Sequence, residues 1–274
     1  MNWLPLAASW LLMAAEFPYV NAALARLSEA ERMIAAFGLV ASLSITIESP
    51  VISLLATSTA LARSRHNYRM LRRFTVHLML ATTILHILLG WTPLFDLVVV
   101  DWMGVPESLH APTQLGLRIM ALWSAAIAWR RFKQGVLIRY GQSRFVGQGT
   151  LVRLLASAGT ATAAALFSDA PGAAVGALAL SAGVLAEAGY AQWVARPLVA
   201  EQFGDEAPGS KKPQISYREL VNFHWPLAAS NLLFLLTQPL VAAALARSPR
   251  PEMALAAWPV LNGLFLLTRA PSMA

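Results

Sequence analysis

The chain has 274 residues, of which 57% are hydrophobic and 13% are charged, and its net charge is +7. A soluble domain usually carries about 25% charged residues, so this sequence has too few charges to coat a water-facing surface, and the bilayer is its expected solvent. Cysteine is absent, which excludes disulfides, thiolate zinc sites and cysteine nucleophiles. The basic residues cluster between hydrophobic runs, as they do in membrane loops, so we expect no nucleic-acid partner.

Eight hydrophobic stretches follow one another along the chain, each long enough to cross a hydrocarbon core of about 30 Å as a helix. The first lacks the basic start of a cleaved signal peptide and is predicted to be a retained membrane helix. Proline, glycine and charged residues separate the stretches, as expected of turns. The predicted spans are 4–24, 33–62, 73–93, 111–138, 147–167, 171–199, 219–246 and 253–274. The apolar strip 95–104 is too short to span and is predicted to be a short surface helix.

The charges of the connecting segments predict the orientation. Segments 63–73 and 129–144 each hold five basic residues and no acid. The long polar stretch 201–218 is mixed but also carries lysine and arginine, and the segments between these three are acidic or neutral. Because basic loops stay cytoplasmic, we expect a multi-pass protein of the inner (plasma) membrane with a cytoplasmic N-terminus.

An internal repeat relates the start of the chain to its end. Residues 5–50 match residues 226–271 at an offset of 221 without a gap, with 19 identities in 46 positions. Four landmark pairs share this register: Pro5 and Pro226, Pro18 and Pro239, Arg26 and Arg247, and Pro50 and Pro271. Six predicted helices lie between the two starts, so the repeats begin on the same side of the membrane and are parallel.

The repeat predicts the domain organisation. We expect an all-α polytopic membrane protein with a six-helix transmembrane lobe at 1–203, a cytoplasmic linker at 204–216, and the first two helices of a second, parallel-repeat lobe at 217–274. The second repeat stops at Ala274, which matches position 53 of the first. A carboxylate near mid-membrane is costly, so the sequence is interpreted as a truncated form of a protein of about twelve helices, built as transporter repeats are.

Three carboxylates lie near the middle of predicted spans: Glu16, Glu48 and Glu187. An ionisable residue at that depth costs about 2.5–3.5 kcal/mol on insertion scales and is a functional candidate. We expect the three to line one lumen inside the first lobe, where burial and mutual repulsion favour binding of a coupling proton or Na⁺. The alternative is that each only bonds to a neighbouring serine, histidine or arginine.

Pro50 stands inside the second predicted span, two residues after Glu48. Proline removes one backbone hydrogen bond, which frees carbonyls about one turn upstream, around Thr46. We expect an unwound turn that contains Glu48 and lines a polar cavity, with an ordinary structural kink as the alternative. In the second repeat the counterpart of Glu48 is Arg269, which suits either a central cavity with an anion opposite a proton or a direct Glu48–Arg269 pair.

The predicted substrate-cavity residues are Asn21, Ser49, Pro50, Arg118 and Arg269. Asn21 lies about one turn after Glu16, and the two arginines favour an anionic substrate while the carboxylates favour a cation or proton. Two histidines of the third span, His77 and His86, titrate near neutral pH when unperturbed, although a lone helical histidine is more often satisfied structurally.

Three basic residues, Arg130, Arg131 and Lys133, are interpreted as the cytoplasmic end of the fourth span in contact with phospholipid. A substrate vestibule is the less favoured alternative. The sequence contains no GxxxxGK[ST], HExxH or GxSxG motif, so we expect neither an enzyme nor a bound cofactor or metal, and transport by this chain would use an ion gradient.

The segments PLAASWLLMAAEF (5–17), FGLVASLSITIESP (37–50), AIAWRRFKQGVLIRYGQSRFVG (126–147) and HWPLAASNLLFLLTQPLV (224–241) carry a family resemblance. They resemble the multidrug and toxic compound extrusion (MATE) branch of the multidrug/oligosaccharidyl-lipid/polysaccharide exporter superfamily, and more closely the bacterial relatives of the progressive ankylosis protein.

The resemblance implies an efflux antiporter that works by alternating access between two six-helix lobes and exchanges H⁺ or Na⁺ for a small-molecule substrate. The implied substrate is a small organic or phosphate-bearing anion, such as pyrophosphate or citrate, or a drug-like cation. Two alternatives remain, a lipid-linked-precursor flippase of the same superfamily and a non-transporting truncated remnant.

Overall fold

The computed structural model describes residues 3–204 and 214–269, with the backbone alone at 3–11, 267 and 269. The described chain is helical and contains no strand, which confirms the predicted all-α class. Over its described residues, every predicted span is present as a helix, and three spans are divided by a short break. The helices are α1 (Trp3–Leu24), α2 (Ala30–Ile52), α3 (Leu54–Leu61), α4 (Arg65–Trp91), α5 (His110–Ile119), α6 (Trp123–Arg139), α7 (Arg144–Phe167), α8 (Gly172–Phe203), α9 (Tyr217–Leu235), α10 (Thr237–Ala246) and α11 (Pro251–Arg269).

Among the described residues, five helical stretches are both long and apolar enough to cross a membrane. They are 30–61, 65–91, 144–167, 172–203 and 217–246. The strip after α4 forms a short π-helix, Asp96–Trp102, as its length predicts. The predicted linker falls largely on 205–213, and Pro271 follows α11, so both lie outside the described residues.

The first lobe is assembled around α8, which packs against α1, α2, α5, α6 and α7. A close approach of α8 to α2 occurs at Gly176, where a Cβ atom would lie 2.6 Å from Cδ2 of Phe37. Small residues let membrane helices approach in this way. The contact holds α8 in the lobe interior and so places Glu187, three turns further along, among the other helices.

The break between α2 and α3 lies at Ser53, later than the sequence predicts. The helix continues through Thr46, whose hydroxyl donates to the carbonyl of Ser42 at 2.8 Å, so Glu48 lies in a regular helical turn and not in an unwound one. Pro50 occupies the last turn of α2. Its carbonyl accepts a hydrogen bond of 2.9 Å from Nε2 of His224 on α9, so the second lobe satisfies a backbone group at the break.

The two repeats run in the same direction. Arg32, at the start of α2, donates to the carbonyl of Ser108 at 2.7 Å, and the Ser108 hydroxyl contacts the carboxylate of Glu252 at the start of α11. The turns that follow α1 and α10 therefore meet at one end of the molecule. At the opposite end, the N–H of Ile215, just before α9, donates to Oδ1 of Asn67 near the start of α4.

Candidate functional site

A buried ion pair joins α1 to α7. Glu16 is 1% exposed, and its two carboxylate oxygens accept three hydrogen bonds of 2.5–3.0 Å from the guanidinium of Arg153, which is 6% exposed. This two-pronged geometry is the strongest arrangement for a carboxylate with arginine. Glu16 is thus bound by a cation that is permanently charged, which is the arginine-bonded alternative stated for it.

A second buried pair joins α6 to α8 beside the first. Glu187 is fully buried, and its Oε2 accepts from Nη1 of Arg130 at 2.5 Å while its Oε1 accepts from Nε2 of Gln134 at 2.9 Å. Nη1 of Arg153 lies 3.9 Å from the same Oε2. Arg153 therefore links Glu16 and Glu187 in one network that crosses four helices.

Glu48, on α2, differs from the other two carboxylates. It is 8% exposed, and its Oε2 has no hydrogen-bond partner in the described structure. The charges that act on it come from three arginines, Arg130, Arg131 and Arg153. Three arginines thus stand against three carboxylates in this region, and only Glu48 is without a direct guanidinium contact among the described residues.

Several other buried polar atoms of the first lobe lack a partner in the described structure. Both amide atoms of Asn21 are unpaired, as are the hydroxyls of Ser49, Ser157 and Ser181. Buried polar groups in native structures are normally bonded to protein, water or an ion. The lobe interior around the ion pairs is therefore polar enough to hold water.

Arg118 and His86 lie outside this network, and Arg269 is described only by its backbone. Arg118 is exposed, donates from Nε to the carbonyl of Gly90 at 2.7 Å and lies over the ring of Trp91, so it caps the end of α4. Arg269 ends α11, and its side chain lies outside the described residues. His86 is buried between the hydroxyls of Ser44 and Ser124 at 3.1 and 3.3 Å, which is the structural alternative stated for it.

The expected phospholipid face of α6 is instead largely buried. Arg130 is 3% exposed and pairs with Glu187 as described, while Lys133 is 4% exposed and donates to the hydroxyl of Tyr68 at 2.7 Å. Arg130 therefore faces the lobe interior and not phospholipid, because α6 packs on both α4 and α8. Charge counting along a sequence assigns basic residues to a helix end without showing which neighbour covers them.

A cavity of about 50 Å³ lies between the two lobes. Its lining contains no charged residue, and ten of its eleven residues form five pairs separated by the repeat offset of 221. The pairs are Phe17 and Gln238, Gly38 and Pro259, Ala41 and Asn262, Ser42 and Gly263, and Ile45 and Leu266, with Trp258 as the eleventh residue. The axis that relates the two repeats therefore passes through this cavity. None of Asn21, Ser49, Pro50 and Arg118 lines it.

Two features of the candidate site were not identified from the sequence, although the sequence contains a signal for each. Arg153 is an arginine inside the predicted span 147–167, and the cost of an intramembrane charge marks it as strongly as it marks Glu16. The cavity lining follows from the repeat, because residues near a shared axis occur as equivalent pairs.

No family model and no curated protein matches this sequence. The chain is similar in fold to several solved structures. One is an inward-facing multidrug resistance MATE family transporter of the MOP superfamily, which matches at a TM-score of 0.70 with 13% sequence identity over 96% of this chain and 59% of that one. The MATE multidrug transporter DinF-BH, in complex with the dye rhodamine 6G, matches at 0.70 (10% identity, 98% and 60%). A MOP superfamily transporter from Pyrococcus furiosus, whose binding pocket is described as having reverse polarity, matches at 0.67 (15% identity, 99% and 61%).

These likenesses show the fold. The chain has the multi-pass helical architecture of MATE transporters, and it spans about three fifths of the length of the structures it matches. The sequence identities of 10–15% leave substrate and coupling ion to be argued from the residues of this chain.

Proposed function

We propose that the protein is a proton-coupled secondary active exporter that works by alternating access between the six-helix first lobe and a second lobe to which α9, α10 and α11 belong. The observation that carries the proposal is the contrast between Glu48, whose buried Oε2 has no partner among the described residues, and the two arginine-bound carboxylates Glu16 and Glu187. In the proposed transport cycle the two lobes move about the cavity between them. The carboxylate of Glu48 supplies a group whose charge changes when it binds or releases a proton.

The number of available ligands favours a proton over Na⁺ as the coupling ion. Glu16 and Glu187 are occupied by guanidinium groups, so Glu48 is the carboxylate of the region without a guanidinium contact among the described residues. Three arginine charges act on Glu48 and oppose the binding of either cation, but Na⁺ also needs several further oxygen ligands, whereas a proton needs one oxygen. The described residues contain no cluster of three histidine, aspartate or glutamate side chains that could hold a metal ion.

The interlobe cavity supports an amphipathic organic substrate. Its lining combines the aromatic rings of Phe17 and Trp258 with the amides of Gln238 and Asn262, a mixture typical of small-molecule sites. Ligand pockets usually measure about 300–1,000 Å³, so at about 50 Å³ this one is closed, and substrate enters when the lobes separate.

Two comparisons bear on the substrate. DinF-BH binds an aromatic rhodamine dye, while the Pyrococcus furiosus protein carries a pocket of reverse polarity on the same fold. The fold therefore carries binding pockets of different polarity, and the resemblance to relatives of the progressive ankylosis protein keeps citrate and pyrophosphate as the anionic substrates to test. The placement of Arg118 away from the cavity removes one of the two arguments for an anion.

The predicted orientation completes the proposal. The turns that follow α3 and α6 lie at the same end of the molecule as the start of α9, since Arg139 donates to the carbonyl of Thr59 at 2.8 Å and Asn67 accepts from Ile215 at 3.1 Å. The arginine-rich segments 63–73 and 129–144 therefore lie at this end, and basic segments stay cytoplasmic. We place it, together with the N-terminus, on the inner side of the plasma membrane.

The test is transport by the purified full chain in proteoliposomes with an imposed pH gradient or an imposed Na⁺ gradient. The rhodamine dye, labelled citrate and labelled pyrophosphate are supplied in parallel. We expect the pH gradient to drive export, Glu48→Gln to lower that export at least tenfold, and Glu31→Gln, which removes an exposed carboxylate of the same helix, to leave it unchanged.

The outcomes separate the parts of the proposal. Export driven by Na⁺ alone rejects the proton, and export by Glu48→Gln with an unaltered pH dependence rejects the role of Glu48. Transport of none of the three compounds under either gradient, with the protein correctly folded, rejects the exporter.

A further inference from the structure

A pocket of about 310 Å³ opens between α4, α6 and α8, and it shares no lining residue with the interlobe cavity or the Glu–Arg network. It lies toward the end of the molecule where α8 finishes and α4 begins. Its lining combines three cations with aromatic and amide side chains: Tyr68, Arg72, Trp129, Lys133, Gln192 and Arg196.

Lys133 is the buried floor of this pocket. It is 4% exposed, and Nζ makes one hydrogen bond, to the hydroxyl of Tyr68 at 2.7 Å. The faces of Trp129 and Tyr68 lie 4.9 and 5.3 Å from the ammonium group. A buried charge needs compensation by an opposite charge. No carboxylate among the described residues lies within salt-bridge distance of Lys133, so the aromatic faces and one hydroxyl are its only described support.

Arg72 and Arg196 flank the lysine from α4 and α8. Both are exposed, neither forms a salt bridge within the described chain, and their charges lie close enough to repel that of Lys133. Three helices thus bring three like charges to one pocket, an arrangement that is unfavourable until an anion occupies it.

The remaining groups define the shape of that anion. Two guanidinium groups present flat, forked sets of N–H donors that match the oxygens of phosphate, and the lysine adds a point charge at the base. Gln192 uses Oε1 to accept the indole N–H of Trp129 at 3.1 Å, so its amide nitrogen remains as a further donor. A carboxylate would engage one fork at a time, whereas a phosphate group has enough oxygens for all three cations.

We propose that this pocket is a binding site for a phosphate group, carried either by the headgroup of an anionic phospholipid or by a soluble phosphate compound. The site does not depend on the proposed transport function. Its position at the basic end of α4, where the flanking cations meet the headgroup layer, gives a membrane lipid direct access, while the exposure of Arg72 and Arg196 also admits a solute.

The test is titration of the purified full chain in detergent, followed by native mass spectrometry, with dioctanoyl phosphatidylglycerol, dioctanoyl phosphatidylcholine and pyrophosphate as separate probes. The diagnostic variant is Arg72→Gln/Arg196→Gln. Its matched control is Arg73→Gln/Arg144→Gln, which removes two exposed arginines that do not line the pocket. Lys133→Gln is a third variant. Because Lys133 is buried, this variant could fail to fold, and in that case the arginine double variant alone decides the test.

We expect an anionic probe to bind at least tenfold more weakly to the diagnostic variant than to the wild type, and within twofold of the wild type to the control. Binding of phosphatidylglycerol without competition by pyrophosphate identifies the lipid headgroup as the source. Competition by pyrophosphate identifies a soluble phosphate compound. The proposal is overturned if neither anionic probe binds, or if the diagnostic variant binds as tightly as the wild type.

Discussion

Replacing Arg153 by glutamine should destabilise the protein strongly, because this residue compensates two buried carboxylates at once. Its guanidinium makes three hydrogen bonds of 2.5–3.0 Å to Glu16, and Nη1 lies 3.9 Å from Glu187. Glutamine preserves much of the length of the side chain and removes its charge. The variant therefore leaves Glu16 buried, at 1% exposure, without a counter-ion.

The magnitude follows from the geometry. Removing one partner of a buried ion pair costs about 3–5 kcal/mol, and the double contact places Arg153 within that range at about 4 kcal/mol. For a domain of this size each kcal/mol lowers Tm by about 2–4 °C. We therefore expect the Tm of the purified protein in detergent to fall by about 8–16 °C.

A double-mutant cycle supplies the control. Glu16→Gln alone leaves Arg153 beside Glu187, and the combined Glu16→Gln/Arg153→Gln protein removes both charges together. Because replacing a whole buried pair is far less costly than breaking it, the combined variant should be more stable than the sum of the single effects by about 1.5 kcal/mol or more. Arg144→Gln, on the exposed face of the same helix, should change stability by less than about 0.5 kcal/mol.

Two results would refute this reasoning. If Arg153→Gln melts within about 2 °C of the wild type, a figure that corresponds to about 1 kcal/mol or less, the guanidinium is not compensating buried charge. If the single effects simply add in the combined variant, Glu16 and Arg153 are not coupled, and the network assigned to the lobe interior has no energetic basis.

Two further predictions concern the seam between the lobes and the orientation of the chain. At Gly38 a Cβ atom would lie 2.8 Å from Cγ of Pro259, so Gly38→Ala should lower Tm and loosen the lobes, as measured by melting and by protease sensitivity. Gly159→Ala, where nothing lies within 4 Å, should be neutral or slightly stabilising, and equal effects at both sites would contradict a packed seam. The chain has no cysteine, so single cysteines can report the orientation. A membrane-impermeant maleimide applied to intact cells should label Ser168→Cys, in the turn after α7, and should not label Gln142→Cys, in the turn after α6. The reverse labelling pattern would show the opposite orientation.

The helices were predictable because the signals that specify them are local. Runs of apolar residues bounded by proline, glycine and charge define each span, and the repeat at an offset of 221 fixes the parallel relation of the lobes. Because these signals are local, the sequence predicted the position of the break near Pro50 incorrectly. Pro50 was expected to disrupt the turn before it, whereas α2 stays regular to Ile52 and breaks at Ser53, where α9 supplies donors from 170 or more residues away.

The pairing within the first lobe was not predictable in the same way. That Glu16, Glu48 and Glu187 are buried follows from their depth in apolar spans, but their partners lie on other helices and depend on helix rotation and crossing. A pattern within one span does not fix rotation. An arginine such as Arg153 could be recognised as costly, yet only the packed lobe shows that it binds Glu16.

The break at Ser53 has a consequence for how the lobes can part. The Pro50 carbonyl and the Ser53 hydroxyl take their donors from His224 and Asn231 of α9, so the first lobe borrows part of its hydrogen bonding from the second. Withdrawal of α9 would leave the carbonyl bare, and a bare carbonyl inside a membrane costs several kcal/mol unless water reaches it. In the proposed alternating-access cycle, separation and hydration therefore occur together at this end. Such a cycle has no stable stage with a dry gap between the lobes, because water must replace the donors of α9 as they leave.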